Sequence, residues 1–219
     1  MSPEPRTTRF GPLIIGHRGF AASFADNSLV GVRAAIAAGA DGVEVDVRPC
    51  GDGTWVCHHD RSRGGRPISD WPLAELRRDG VPTLADVVGA VPGDRWLYVE
   101  IKPIPAAALD RGLPQLVTLL DRRVARVRVI SSVERVLAAV ERTLSGASRS
   151  LVFDAIPDPL PTGLELSPFH RLVETLVGTG RPLHPWTVDD PTRMRELAAI
   201  GVASITTNEP GVALEVVHG

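Results

Sequence analysis

A closed (β/α)8 barrel, the TIM-barrel architecture, is what this sequence predicts, on three observations. Short apolar, β-branched runs alternate with amphipathic helical patterns about eight times, the signature of parallel strands joined by crossover helices. The segment after the first run, "GHRGFAAS", lacks the G-x-G-x-x-G turn expected of the runner-up, an open doubly wound sheet. Acidic, basic and imidazole side chains recur at the carboxyl ends of the strand-like runs, where a barrel keeps its chemistry.

In chain order the predicted strands are Leu13–Gly16, Gly42–Arg48, Trp96–Lys102, Val127–Ser131, Ser150–Phe153, a weak one at Leu164–Leu166, Pro182–Val188 and Ala203–Thr206. Apolar residues recur at helical spacing in Ser28–Ala38, Leu84–Ala90, Ala106–Leu120, Val133–Thr143, Phe169–Val177 and Pro191–Ile200. The Pro-rich stretch Pro157–Pro161 reads as a loop. With no linker, low-complexity tract or internal repeat, residues 1–219 are read as one domain whose core runs from about residue 13 to 210.

Composition excludes some classes of function. The chain is 43% hydrophobic and 23% charged with a formal net charge of −2, which gives no electrostatic case for nucleic acid or an anionic membrane surface. The opening "MSPEPRTTRFGPLIIGHRG" has no continuous apolar run of the signal-peptide kind, and no 18-residue apolar run occurs. A cytoplasmic protein without a membrane span is expected; oligomeric state is left open. Cys50 and Cys57 are expected to be reduced thiols. Of the 24 basic residues all but Lys102 are arginine, which singles out that position.

In "DGVEVDVRP" Val43, Val45 and Val47 alternate with Glu44, Asp46 and Arg48, so Glu44 and Asp46 share one face, about 7 Å apart along the strand. Beyond them, "GDGTWVCHHD" leaves too few residues for a crossover helix. Asp52-Gly53 predicts a two-residue type I′ hairpin turn. That register sets Gly51 against Thr54 and Asp46 against His59; a bulge at Pro49 or a longer turn shifts it by one and substitutes His58. A β-hairpin extension after the second strand is thus expected to return a histidine to the carboxylate pair.

Glu44, Asp46 and Glu100 are hard oxygen donors without cysteine partners, the chemistry of Mg²⁺ or Ca²⁺ rather than zinc, with Mn²⁺ also accommodated. Lys102 follows Glu100 by two and faces the same way, as a phosphate or carboxylate partner. His17 and His59 form a candidate general acid/base couple. Arg18 offers a bidentate phosphate clamp, and Trp186 an apolar wall for a substrate. His170 and His218 read as surface residues, and His184 is undecided.

These residues in this order resemble the glycerophosphodiester phosphodiesterase family of TIM barrels. "IIGHRG" is similar to its opening motif, "GADGVEVDVRPCGDGTWVCHHD" to its acid-pair and histidine segment, and "VEIKP" to its third-strand motif. "VPTLADVV", "VISS" and "WTVDD…LAAIGVASITTNEP" extend the likeness over about Ile14 to Pro210. The resemblance implies hydrolysis of small-molecule glycerophosphodiesters to glycerol 3-phosphate and an alcohol. It implies a divalent metal on Glu44, Asp46 and Glu100, and His17 with His59, rather than His58, as the acid/base pair. Attack comes either from water or from the substrate's own glycerol hydroxyl through a cyclic phosphate. A lysophospholipase-D or sphingomyelinase-D-like lipid phosphodiesterase and a non-catalytic phosphate-binding barrel are the alternatives.

The chain departs from the family pattern at supporting positions. Ala25-Asp26-Asn27-Ser28 stands where Pro-Glu-Asn-Thr is usual, shortening an acid by one methylene. Thr207-Asn208 replaces the usual Thr-Asp, and "RSRGGRP" after Asp60 is short. Asp26, Asn27 and Asn208 are therefore expected near the site, with consequences for substrate choice.

Overall fold

The structure, a computed structural model, describes residues 11–219; the first ten, part of the opening stretch read above for a signal peptide, lie outside the described residues. The elements are β1 (Leu13–Gly16), α1 (Leu29–Ala37), β2 (Gly42–Pro49), β3 (Trp55–Cys57), β4 (Ser62–Arg63), β5 (Arg66–Pro67), α2 (Leu73–Arg78), α3 (Leu84–Ala90), β6 (Trp96–Ile101) and α4 (Ala106–Leu120). There follow β7 (Val127–Ser131), α5 (Glu134–Thr143), β8 (Ser148–Phe153), β9 (Glu165–Pro168), α6 (Val173–Leu176), α7 (Pro191–Ile200), β10 (Ser204–Thr207) and α8 (Pro210–His218).

The main sheet runs β10-β1-β2-β6-β7-β8-β9, all parallel, with β3 antiparallel on the end of β2. One gap remains between β9 and β10, and residues 183–188 fill it. This segment was expected to be a full strand. It makes isolated bridges to the β9 side, Leu166 with Leu183 and Phe169 with Trp186. On the other side Val188 N donates to Thr206 O (3.0 Å) and Thr206 N to Pro185 O (3.0 Å). Pro182 and Pro185 carry no N–H, so a continuous ladder cannot form there. The stave nevertheless closes the (β/α)8 barrel.

Helices form where pattern and caps agree. Ser28 Oγ accepts from Gly31 N at the start of α1, and Thr83 with Asp86 makes a reciprocal capping box on α3. Asp190 caps α7, Pro191 opens it and Gly201 closes it at φ 87°. The short α2 and the C-terminal α8 were not anticipated. Phe169–Val177 divides into a 3-10 turn (His170–Leu172) and the brief α6, and no helix joins β8 to β9. The segment holding Pro157–Pro161 is irregular, as expected.

The alternation in β2 sorts its side chains. Val43, Val45 and Val47 join Val32, Ala35, Leu84 and Val87 in the core between sheet and helices, so Glu44 and Asp46 point into the barrel. A second core gathers Leu151, Leu166, Leu176, Met194, Leu197 and Ile205 on the opposite half. Among the described residues no helix is long and apolar enough to cross a membrane.

The hairpin after β2 differs from its predicted register. Val47 pairs with Cys57 and Arg48 with Val56, one residue off the expected alignment. The connection is a three-residue loop: Cys50 N donates to Thr54 O (2.9 Å) and Gly53 sits at φ 79°. Asp52 does not take the positive φ that a type I′ turn needs. Its carboxylate instead accepts Leu73 N (2.7 Å) at the start of α2, while Gly51 N donates to Trp71 O (2.8 Å). Contacts to the following segment thus decide the turn. Cys50 and Cys57 are buried free thiols.

Candidate active site

The "GHRG" turn after β1 is too tight for side chains at its ends. A Cβ on Gly16 would lie 2.1 Å from Gly19 O, and one on Gly19, at φ 89°, would lie 2.7 Å from Val32 N. Arg18 (φ 50°) and Asn27 (φ 58°) also adopt left-handed backbone, the strain that concentrates at functional sites. It aims Arg18 N at Glu44 Oε2 (3.0 Å) and the Asn27 amide at Asp46. Asn27 Nδ2 donates to Asp46 Oδ2 and Asp46 N to Asn27 Oδ1, both 2.9 Å.

Glu44, Asp46 and Glu100 converge with one carboxylate oxygen each, all within 4.8 Å of one another. Glu44 and Asp46 are 2% and 1% exposed. Burial, then the charges of Asp46 and Glu100, pushes the Glu44 carboxyl well above its ordinary value. Burial also raises Glu100, against the pull of Lys102. Burial works to raise Asp46 too, but Lys102, the Asn27 bond and Arg18 outweigh it and hold that carboxyl low. Lys102 Nζ lies 2.7 Å from Glu100 Oε1 and 3.3 Å from Asp46 Oδ1, and Arg18 Nε lies 3.1 Å from Asp46 Oδ2. Glu44 Oε1 is buried with no hydrogen-bond partner. An orphaned carboxylate oxygen in an all-oxygen trio is what a hard divalent cation would satisfy, so these residues fit one.

His17 hydrogen-bonds through Nδ1 to Asn208 Oδ1 (2.7 Å) and sets Nε2 4.0 Å from Glu44 Oε2. Burial lowers its pKa, against the opposing Asn208 bond. Asp26 contacts Arg18 Nη1 (2.5 Å) rather than the acid trio. The backbone of His58, not His59, lies opposite Asp46 (His58 N to Asp46 O, 3.0 Å), correcting the predicted facing pair. The strand ends at Cys57, however, and the chain then swings so that His59 lines the cavity. Arg48 Nε holds His59 O (3.0 Å), and His59 Nδ1 meets Asp60 Oδ1 (2.8 Å).

One cavity of about 250 Å³ brings together His17, Arg18, Glu44, His59, Glu100 and Lys102 on one side and Ile130, Val152, Phe153 and Trp186 on the other. Trp186 Nε1 is tied to Ser167 O (2.8 Å), and its ring stands edge-on to Phe169. Asp26, Asn27 and Asn208 lie outside the lining and touch Arg18, Asp46 and His17 respectively.

His170 and His218, read as surface residues, are half-buried and lie outside the cavity. His184, undecided from sequence, is 2% exposed on the cavity floor with Tyr98. Its Nε2 meets Glu165 Oε2 (2.9 Å) and its Nδ1 meets Ser204 Oγ (2.8 Å) and Arg128 Nη1 (3.1 Å). Arg128 also pairs with Glu165 (2.6 Å) and with the Tyr98 hydroxyl. Neither this network nor Asp189 was anticipated from the sequence. Arg128 alternating with the valines of "VRVIS", and Tyr98 two residues before Glu100, were the available signals.

A profile of the Glycerophosphoryl diester phosphodiesterase family matches residues 17–112 and 108–212. The chain belongs to this family. A glycerophosphodiester phosphodiesterase of Caldanaerobacter subterraneus subsp. tengcongensis is 27% identical, over 94% of this chain and 98% of that protein. Among solved structures, a glycerophosphodiester phosphodiesterase from Parabacteroides distasonis superposes with a TM-score of 0.81 at 24% identity, covering 96% of this chain and 98% of that one. An Oleispira antarctica phosphodiesterase, solved with the product sn-glycerol-3-phosphate, superposes with a TM-score of 0.81 at 20% identity, covering 96% and 98%. At these identities the superpositions establish the shared barrel fold.

Proposed function

We propose that the protein hydrolyses glycerophosphodiesters to glycerol 3-phosphate and an alcohol, using a divalent cation on Glu44, Asp46 and Glu100 and an acid/base pair of His17 and His59. The observation that carries this reading is the single cavity in which both imidazoles, Arg18 and Lys102 face the clustered carboxylates. Membership of the family and relatives named for this activity support it. We read residues 1–219 as one domain, acting on a small molecule in the cytoplasm.

When bound, the cation supplies positive charge to the phosphoryl oxygens. Arg18 and Lys102 add fixed positive charge, of most use where negative charge develops in the transition state. Imidazole nitrogens from two different elements, the β1 turn and the hairpin, line the same cavity. One takes a proton from the attacking water or glycerol hydroxyl and the other gives one to the departing alkoxide; after hydroxyl attack, water opens the cyclic phosphate with the two roles exchanged. Trp186 and Phe153 form the apolar wall of that cavity, against which a substrate's carbon atoms would pack.

The deciding experiment strips the protein of metal, adds back Mg²⁺, Mn²⁺ or Ca²⁺, and follows glycerol 3-phosphate release from a panel of headgroup diesters. Turnover should appear with at least one ion and vanish with chelator, and His59→Ala should lower kcat by about 10²–10⁴-fold. Activity that survives chelation, or that Glu44→Ala and His59→Ala leave intact, would sink the reading.

A further inference from the structure

We infer that Asp189 is a positioning residue that, through Asn208, fixes the proton of His17 on Nδ1 and leaves Nε2 as the bare, proton-accepting nitrogen in the cavity. The inference rests on the reading of His17 as an acid/base group, and it adds a residue outside the lining of the main cavity.

The polarity of each hydrogen bond carries the argument. Asp189 follows the Leu183–Val188 stave, and its carboxylate is held by three donors from the end of β10. Oδ1 accepts Asn208 N (2.8 Å) and Thr207 Oγ1 (3.0 Å), and Oδ2 accepts Asn208 Nδ2 (2.7 Å). The Thr207 hydroxyl accepts in turn from Glu209 N (3.0 Å), so its own proton is directed to Asp189. An ionised carboxylate only accepts. The end of the Asn208 side chain that faces it is therefore the NH₂, and the carbonyl oxygen is the end that faces His17.

That oxygen lies 2.7 Å from His17 Nδ1, and an amide oxygen also only accepts. Nδ1 must then carry hydrogen. In the neutral ring this leaves Nε2 as a lone pair, the nitrogen 4.0 Å from Glu44 Oε2 at the edge of the acid trio. Reversing the amide would set two acceptors 2.7 Å apart at Asp189, and that clash fixes the orientation from which the His17 tautomer follows. One exposed carboxylate thus selects the tautomer of a ring it does not touch.

The role of Asn208, where the related pattern has an acid, also becomes definite. An acid–amide pair contains one acceptor-only member wherever the acid stands. Exchanging the two residues should therefore preserve the tautomer. The carboxylate, moved to position 208, would accept directly from His17 Nδ1–H, and the amide, moved to position 189, would donate to that carboxylate.

The test is long-range ¹H–¹⁵N correlation of the full-length, ¹⁵N-histidine-labelled protein at neutral pH, with His17 assigned by its absence in His17→Gln. The wild type should show a pyrrole-like Nδ1 and a pyridine-like Nε2. Asp189→Asn should give mixed tautomers and lower kcat by about tenfold with KM within about twofold. The double exchange, Asp189→Asn with Asn208→Asp, should recover both. Asp190→Ala, beside it but acting as the α7 cap, should leave tautomer and kcat unchanged. Protonation of Nε2 in the wild type, an unmixed Nδ1–H signal in Asp189→Asn, or no recovery in the exchange would each overturn the proposal. If Asp189→Asn fails to fold, the wild-type spectrum and the exchange variant still decide it. Absence of turnover with every diester and metal would refute the hydrolase reading while leaving this readout intact.

Discussion

Lys102 occupies the position where a second cation would be most strongly felt. Its ammonium bridges Glu100 and Asp46, so it neutralises part of a carboxylate cluster whose members burial otherwise drives toward the protonated form. Removing one partner of a buried ion cluster leaves the remaining charges uncompensated. Lys102→Met keeps most of the stem and removes the charge, and should cost about 3 kcal/mol of stability in chelated protein. Excess Mg²⁺ should restore more of the loss in the variant than it adds to the wild type. Urea unfolding with chelator and with Mg²⁺ measures both, and a loss of equal size in the two conditions would refute the coupling. The residue was legible because it is the one lysine and lies two positions from Glu100. Asp189 was not, since nothing local distinguishes it from Asp190; only the approach of β10 to the Leu183–Val188 stave gives the two different work.

At the scale of elements, the hairpin shows what sequence can and cannot carry. Its existence followed from too few residues for a helix and a Gly-containing turn, but its register did not, because Asp52 is recruited to the start of α2. The stave at 183–188 behaves alike: its place in the alternation was readable, while prolines at 182 and 185 denied it a ladder. The hairpin is also pinned from outside. Trp55 is 1% exposed and donates Nε1–H to Gly112 O of α4 (2.9 Å), and a Cβ on Gly112 would lie 2.7 Å from its ring. Gly112→Ala therefore forces ring and helix apart. A loss of about 1–3 kcal/mol is expected from overpacking, despite the better helix propensity of alanine. Because Trp55 and His59 share one short hairpin, kcat should fall as well. A thermal melt and a turnover assay check the two effects, and a variant more stable than the wild type would show that the contact is not limiting.

For the whole molecule, the barrel could be anticipated from alternation because its helix-facing layer is apolar and regular. One part of its interior could not, because the Arg128–Glu165–His184–Tyr98 network draws one residue from each of four segments. That network makes a prediction about pH. Arg128 can only donate to His184 Nδ1 and Glu165 can only accept from Nε2, so the geometry demands a neutral ring. Burial accordingly pushes the His184 pKa from 6.5 down to about 4. Above pH 6.5 the ring is neutral folded or unfolded, and the stabilisation is complete. As pH falls from 6.5 toward 4, the unfolded chain takes up a proton that the folded ring refuses, so stability drops. Below 4 both forms are protonated and the loss levels off. By linkage the full effect is about 3 kcal/mol. The raised carboxyls of Glu44 and Glu100 act with the opposite sign as pH falls, and the lowered His17, Asp46 and Glu165 act with the same sign. The measurement that isolates His184 is therefore a difference between proteins. Urea unfolding free energies from about pH 7 to about 4.5 should fall about 2–3 kcal/mol more in the wild type than in His184→Gln, whose amide does not titrate. Parallel pH profiles for the two would mean that His184 is not the buried neutral base the network requires.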